Sequence, residues 1–573
     1  MTEHVNDRAA LLARLRQMPR MPVLIVGGGI NGISTFRELA LQGIPVLLIE
    51  QGDWCQAASG ALSRMIHGGL RYLETGEFTL VKEALSERNR LLKNAPHYVF
   101  PLRTTVPVES WSSGMLGAGK RFLGLSTSTP SRRGALLLKS GLALYDAWAG
   151  RYGALPRHQL HDSAETRQRW PGFADWVKYS ASYYDAWITA PERLGFELTD
   201  DTMQACPAAL ALNYLSLQRC DGENITLSDS LTGEEFTLQP HIVVNATGAW
   251  IDRLNGTLSA ASAGEKLIGG TKGSHLVLRC PALLAMLAGE MIYYENLDGR
   301  ICLLFPWYGN VLAGTTDIRV DNPDAAICEA DEQRYILESL KFIFPHLPLS
   351  EKDVLYTFSG IRPLPASDAA TSGAISRSHS LKLIPPSRDR AFSTLCLIGG
   401  KWTTFRSFGE QAAGRVLNLL GERRKVSTEA LAIGGGRDYP DAAHKTAWIK
   451  ALSDECGLSP ERITQLLKRY GTRVQAMVKF IVSEPDASLH TLPDWSRNEL
   501  RYLIRYEQVQ KLNDLLIRRT PLAVSGQLSA PLIEEIAQLI AQERGWTTAQ
   551  TKQALAETCT ELQREHGVQL AEV

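Results

Sequence analysis

The sequence predicts a doubly wound α/β nucleotide-binding fold that gives way, late in the chain, to an all-helical domain. Three observations carry this expectation. Residues 22–53, PVLIVGGGINGISTFRELALQGIPVLLIEQGD, read as strand, glycine turn, helix and strand in one unit. Two later apolar runs, IVVNATGAW at 242–250 and LCLIGGKWTTFR at 395–406, end in small residues, as strands do where their carboxyl ends converge on one extended ligand. From about residue 436 the hydrophobic pattern becomes that of amphipathic helices.

Taken in order, residues 1–20 lack the apolar core of a signal peptide and are expected to form a leader. Pro22 to Val26 is a continuous apolar strand of the kind buried on both faces of a parallel sheet. Gly27, Gly29 and Gly32 form GxGxxG, with Gly28 and Asn31 inside the same turn. The first glycine permits the tight turn, the second lets backbone N–H groups approach a pyrophosphate, and the third lets helix and strand pack closely. The helix N-terminus favours the anion. Ile30, Ile33, Phe36 and Leu39 supply its apolar face, and Gly43 ends it. The next strand closes on Glu50 and Gln51, and a carboxylate there can accept hydrogen bonds from ribose hydroxyls. The fingerprint alone leaves NAD and FAD both open.

Composition narrows the class. The 573 residues are 44% hydrophobic and 21% charged, ordinary for a globular protein with more than one domain. With 61 basic and 61 acidic side chains, the chain lacks the basic excess of a nucleic-acid coat. Its nine cysteines stand singly with no CxxC pair, so neither a metal centre nor a sequence-local cluster is expected, and a reducing, cytoplasmic location fits. No run reaches the roughly 18 apolar residues of a membrane span.

Residues 65–76, MIHGGLRYLETG, place His67, Gly68, Gly69, Arg71 and Tyr72 ahead of a helix carrying Phe78, Val81, Leu85, Arg88 and Leu92 at helical spacing. With IVGGGINGISTFRELALQG, SRMIHGGLRYLETGEFTLVKEAL, VVNATGAW, TKGSHLVL, AGTTD, FSGIRPL and GGKWTTFR in this order, the chain resembles the FAD-dependent glycerol-3-phosphate dehydrogenase family, the quinone-linked flavoprotein type. ELRYLIRYE and LLIRRTPL resemble its helical extension, so nearly the whole chain is covered. The resemblance implies a glutathione-reductase-like FAD-binding Rossmann domain, a mixed-sheet substrate domain and a C-terminal α-helical domain. Its expected boundaries are 21–100, 180–270 and 355–425 for the FAD domain, 101–179 and 271–354 for the substrate-binding cap, and 436–573 for the helices.

It also implies oxidation of sn-glycerol 3-phosphate to dihydroxyacetone phosphate by hydride transfer to the flavin N5, with electrons passing to a quinone. Such chemistry needs a base for the hydroxyl proton and cations for the phosphate. By similarity, Arg71, Arg362, Arg377 and Lys401 surround the phosphate and substrate oxygens, with Lys272, Tyr72 and Thr404 as further substrate contacts. The expected cofactor contacts beyond the fingerprint are Ser59, Ser63, His67, Gly68, Gly69, Ala246, Thr247, Gly248, Gly399, Gly400 and Thr403. His275 and Arg362 are the candidates for removing the hydroxyl proton, and His275 is preferred because imidazole titrates near neutrality whereas arginine stays protonated.

SGALSR replaces the family's serine-rich run, leaving Ser59 and Ser63, and TAPERL at 189–194 replaces an acidic segment. The latter leaves substrate choice open to another polyol phosphate, such as erythritol phosphate. An O₂-using oxidase and a flavin-binding sensor or scaffold are the remaining rivals. Residues 101–157 interleave eight basic side chains, Arg103 and Arg132 among them, with apolar runs, which fits either an interfacial membrane segment or a cap with a basic rim. Gly434, Gly435 and Gly436 are expected to form a linker, and the helices beyond them a packing or homodimerising cap, with Thr547 or Thr548 as an N-cap.

Overall fold

The computed structural model describes residues 6–69, 77–110, 135–149, 155–262, 264–367 and 378–570. An eight-stranded sheet runs in the order Ser380–Ile384, Ser393–Ile398, Glu235–Asn245, Arg20–Val26, Val46–Ile49 and Leu210–Leu212, with two antiparallel strands, Leu215–Asp221 and Asn224–Asp229, attached to it. Its four central strands are parallel, and Val26 stands level with Asn245 and Ile49, while Asn245 stands level with Cys396. The residues that follow, Gly27, Glu50, Ala246 and Gly399, therefore emerge near one edge, as the sequence predicts. Val23, Leu24 and Ile25 are fully buried because helices cover both faces. The helix Ile30–Ala40 lies against Phe405–Leu420 and Pro191–Ala205.

The second sheet has ten strands and is mixed: Met291–Glu295 pairs parallel with Val99–Val108, whereas Thr271–Leu278 runs antiparallel to Asn310–Gly314 and Val354–Arg362. Tyr179–Ile188 and Val354–Arg362 belong to this sheet, as does the short edge strand Met65–Ile66. This corrects the expected boundaries, which gave most of these residues to the FAD domain. The expected cuts at 179/180 and 354/355 fall inside strands that lie wholly in this sheet.

The C-terminal helices include Pro460–Tyr470, Arg497–Tyr506, Ala530–Arg544 and Thr548–His566, each opened by a Ser or Thr side chain accepting a backbone N–H: Ser459, Ser496, Ser529 and Thr547. Their core is continuous with Val277, Phe305 and Phe358 of the second sheet. Two expectations fail here. Residues Arg8–Arg16 form a helix whose Leu11, Leu12 and Leu15 enter the main core, so this stretch is not a detached leader. Gly434, Gly435 and Gly436 are buried, with a Cβ on Gly435 falling 2.1 Å from the Tyr470 carbonyl oxygen. The glycines are there for close packing, not for flexibility. No helix among the described residues is long and apolar enough to cross a membrane.

Candidate active site

A cavity of about 1400 Å³ extends from the glycine turn of the first sheet to the second sheet. At the first end, Gly27 has φ +115°, and a Cβ there would lie 2.5 Å from the Ala246 carbonyl oxygen. A Cβ on Gly32 would lie 2.0 Å from the Gly27 carbonyl oxygen, so the third glycine fixes the helix against the turn. Gly27, Gly29 and Asn31 line the cavity, as do Gln51, Ala246, Thr247 and Gly248. Gly28 faces the Trp54 ring instead, and its N–H donates to Glu50 Oε2 at 2.7 Å. Glu50 takes a second N–H from Gly52 at 2.9 Å while still lining the cavity, and burial pushes its carboxyl up.

Ser59 Oγ accepts the Ile30 N–H at 3.0 Å, at the start of the first helix. Asn31 donates to the Gly399 carbonyl oxygen at 3.1 Å, and its own Oδ1 is buried with no partner. Gly399 and Gly400 both take positive φ, +76° and +102°, and border the same space. A glycine cradle that a Cβ would fill, an unused buried acceptor and four strand ends at one edge fit an extended dinucleotide such as FAD.

Farther in, the cavity wall passes to His67, Gly69, Lys401 and Thr403. The His67 N–H donates to Thr403 Oγ1 at 3.2 Å, tying the histidine-glycine turn to the third motif. Gly68 is not on the wall: it is covered by Leu85 and Tyr145, and its N–H reaches Tyr145 Oη at 2.9 Å and Asp185 Oδ1 at 3.2 Å. Lys401 precedes the tight turn Trp402–Thr404. Thr404, expected to touch substrate, is fully buried just behind the cavity wall, with its Oγ1 unpartnered. Arg71, Tyr72 and Arg377 lie outside the described residues.

The second sheet brings His275 and Arg362 to the cavity from neighbouring strands. Arg362 Nη1 bonds Asp317 Oδ1 at 3.1 Å and Nη2 donates to Thr315 Oγ1 at 3.1 Å. His275 is 1% exposed, stacks on Phe358 with ring centres 4.9 Å apart, and places Nε2 2.8 Å from Ser63 Oγ. Burial, with Arg362 and Arg64 nearby, lowers its pKa to about 3. The reason for preferring it, titration near neutrality, is therefore corrected: the imidazole is neutral at physiological pH. Its Nδ1 is buried without a partner.

Lys272, three residues before the histidine on the same strand, points to the other face. Its ammonium lies 2.7 Å from Glu332 Oε2 and donates to the Ile327 carbonyl oxygen at 2.8 Å, and it is absent from the cavity wall. Side chains alternate along a strand, so placing His275 inside excludes Lys272. The expected contact of Lys272 with substrate has no counterpart in this arrangement, where the ammonium is paired with Glu332.

Two wall residues escaped sequence reasoning. Arg64 makes two bonds to Glu192, at 2.9 and 3.0 Å, beneath the Trp307 ring. The partner comes from TAPERL, so that segment closes a charge pair at the wall. Asp185, 1% exposed, takes Arg88 Nη1 at 2.8 Å and Tyr145 Oη at 2.6 Å on Oδ1, and its buried Oδ2 has no partner. A lone acid in the otherwise uncharged strand YSASYYDAWI was the available clue.

Known proteins can be set beside this geometry. A profile described as FAD dependent oxidoreductase matches residues 22–381, and one described as the C-terminal domain of alpha-glycerophosphate oxidase matches residues 426–551. The glycerol-3-phosphate dehydrogenase of Synechocystis sp. is 33% identical over 554 residues, spanning 92% of this chain and 94% of that protein. The D-erythritol 1-phosphate dehydrogenase of Brucella abortus is 29% identical, over 87% of this chain and 93% of its own length. Among solved structures, the FAD complex of glycerol-3-phosphate dehydrogenase from Bacillus halodurans shares the fold with a TM-score of 0.73 at 21% identity, covering 99% of this chain and all of that one.

Proposed function

The chain belongs to the FAD-dependent glycerol-3-phosphate dehydrogenase family, and from that premise we propose that it oxidises sn-glycerol 3-phosphate to dihydroxyacetone phosphate and passes the electrons to a quinone. It is an FAD-dependent oxidoreductase, and bound FAD supplies the hydride acceptor at the flavin N5. The observation that carries the substrate reading is that Arg362, Lys401 and His275 border the same cavity as the glycine cradle.

The residues divide the work. Gly27, Gly29, Asn31 and the strand ends around Ala246 and Gly399 hold the dinucleotide. Arg362 stays cationic and is held by Asp317 and Thr315. It neutralises charge on the substrate, with Lys401 and the expected Arg71 and Arg377 completing the phosphate site. His275, neutral and in contact with Ser63, is the acceptor assigned to the hydroxyl proton. Its low pKa is set by burial and neighbouring cations, and the substrate's anionic phosphate, once bound among those cations, favours the imidazolium. The quinone as acceptor, reached from the cytoplasmic face of a membrane, draws its support from the basic and apolar residues interleaved through 101–157.

An anaerobic titration of the FAD-loaded protein with sn-glycerol 3-phosphate tests this. Bleaching of the oxidised flavin band is expected, followed by recovery on adding a short-chain ubiquinone. A band that stays yellow would remove this substrate. A second reading, a four-carbon polyol phosphate, is favoured by the Brucella abortus relative and by the altered TAPERL segment. It predicts bleaching by erythritol 1-phosphate in preference. Reoxidation by O₂ as fast as by quinone would replace the dehydrogenase reading with an oxidase.

A further inference from the structure

The segment 50–55 touches the cofactor turn on one side and the C-terminal helical domain on the other. Toward the turn, Glu50 Oε2 accepts the Gly28 N–H at 2.7 Å, and the Cys55 N–H donates to the Gly28 carbonyl oxygen at 3.0 Å. The Trp54 ring lies so near that a Cβ on Gly28 would stand 2.6 Å from it. Gly52, Cys55 and Gln56 themselves line the cavity.

Toward the C-terminal domain, Asp53 Oδ2 accepts from Arg518 Nε at 2.6 Å and Arg519 Nη1 at 2.7 Å. Its Oδ1 accepts from Arg519 Nη2 at 2.8 Å and Asn213 Nδ2 at 3.0 Å. The Trp54 indole N–H donates to Gln508 Oε1 at 3.0 Å. Asp53 and Trp54 are fully buried and Arg519 is 1% exposed. Burial opposes the charged carboxylate, but Arg519 and Arg518 outweigh it and hold Asp53 below the usual carboxylate range.

A buried carboxylate that loses its cations is strongly unfavourable. The shape of 50–55 therefore depends on helical residues more than 450 positions away in sequence, and Gly28 and Glu50 depend on that shape. We propose that Asp53 and Arg519 are positioning residues through which the docked C-terminal domain sets the affinity of the nucleotide-binding turn for FAD. Linkage makes the effect reciprocal: FAD tightens the docking of that domain by the same factor. Nothing in this depends on which polyol phosphate is oxidised.

The test is the FAD dissociation constant of full-length apoprotein, read by flavin fluorescence quenching well below the unfolding midpoint, for Asp53→Asn and Arg519→Lys. We expect binding about tenfold weaker in each, an ordinary size for coupling between two sites. A role confined to packing would lower the unfolding midpoint and leave the constant within about twofold of the parent's, which overturns the proposal. Should both variants fail to fold, hydrogen exchange on the unaltered chain decides. Slower exchange across 508–519 on adding FAD supports the coupling, and unchanged exchange there rejects it.

Discussion

Ser63 and His275 come from opposite sides of the ten-stranded sheet, yet Oγ and Nε2 lie 2.8 Å apart. Ser63 immediately precedes the turn into the edge strand Met65–Ile66, while His275 sits near the sheet's other end, next to Val354–Arg362. The contact closes the sheet around the cavity, and it gives the buried imidazole its hydrogen-bond partner. In Ser63→Ala the ring loses that partner and its orientation. kcat should fall by about tenfold to a hundredfold while FAD content is retained. Steady-state kinetics with a flavin absorbance check reads both; parent-like kcat would remove the pair from proton transfer.

The acid side of the stability curve should carry the mark of His275. An unfolded histidine binds a proton near its ordinary pKa of 6.5, whereas the folded chain resists protonation there until about pH 3. Between those values the unfolded state binds more protons, so stability falls as pH falls, by at most about 1.4 kcal/mol per pH unit from this group. His275→Gln should flatten that slope in denaturant titrations run from pH 7 to pH 4. An unaltered slope would mean the imidazole is not held neutral.

Lys272 separates a buried structural ion pair from a substrate contact. Lys272→Met leaves Glu332, 4% exposed, without its cation. The expected cost is about 3 kcal/mol of folding stability, with KM for the polyol phosphate unchanged. A sharp rise in KM at full stability would restore Lys272 to the substrate site.

Gly27→Ala tests the cradle. Its φ of +115° and the 2.5 Å approach of a Cβ to the Ala246 carbonyl oxygen leave no room for a methyl group. The purified variant should carry little FAD while keeping the far-ultraviolet circular dichroism of the parent apoprotein. Full flavin occupancy would show that the turn can open without loss.

The sequence by itself determined the nucleotide-binding unit. Strand, turn, helix and acid are contiguous in 22–53, and their chemistry is local: apolar runs, helical spacing and glycines at positions that a Cβ would block. The motifs around Ala246, Gly399 and His67 were legible for the same reason, and the parallel register then brought the first two to one edge with Gly27. Tertiary structure decided which side chains of a motif face the cavity. TKGSH contains both Lys272 and His275, and strand alternation says only that they point to opposite faces; the curl that brings Ser63 to His275 chose between them. It also turned the glycine triplet at 434–436 into a buried packing site and the N-terminal stretch into a core helix. Arg64 with Glu192 and Asp53 with Arg519 were beyond reach for one physical reason. A charge can be buried only where its partner arrives, and these partners come from distant segments whose meeting is a property of the folded chain.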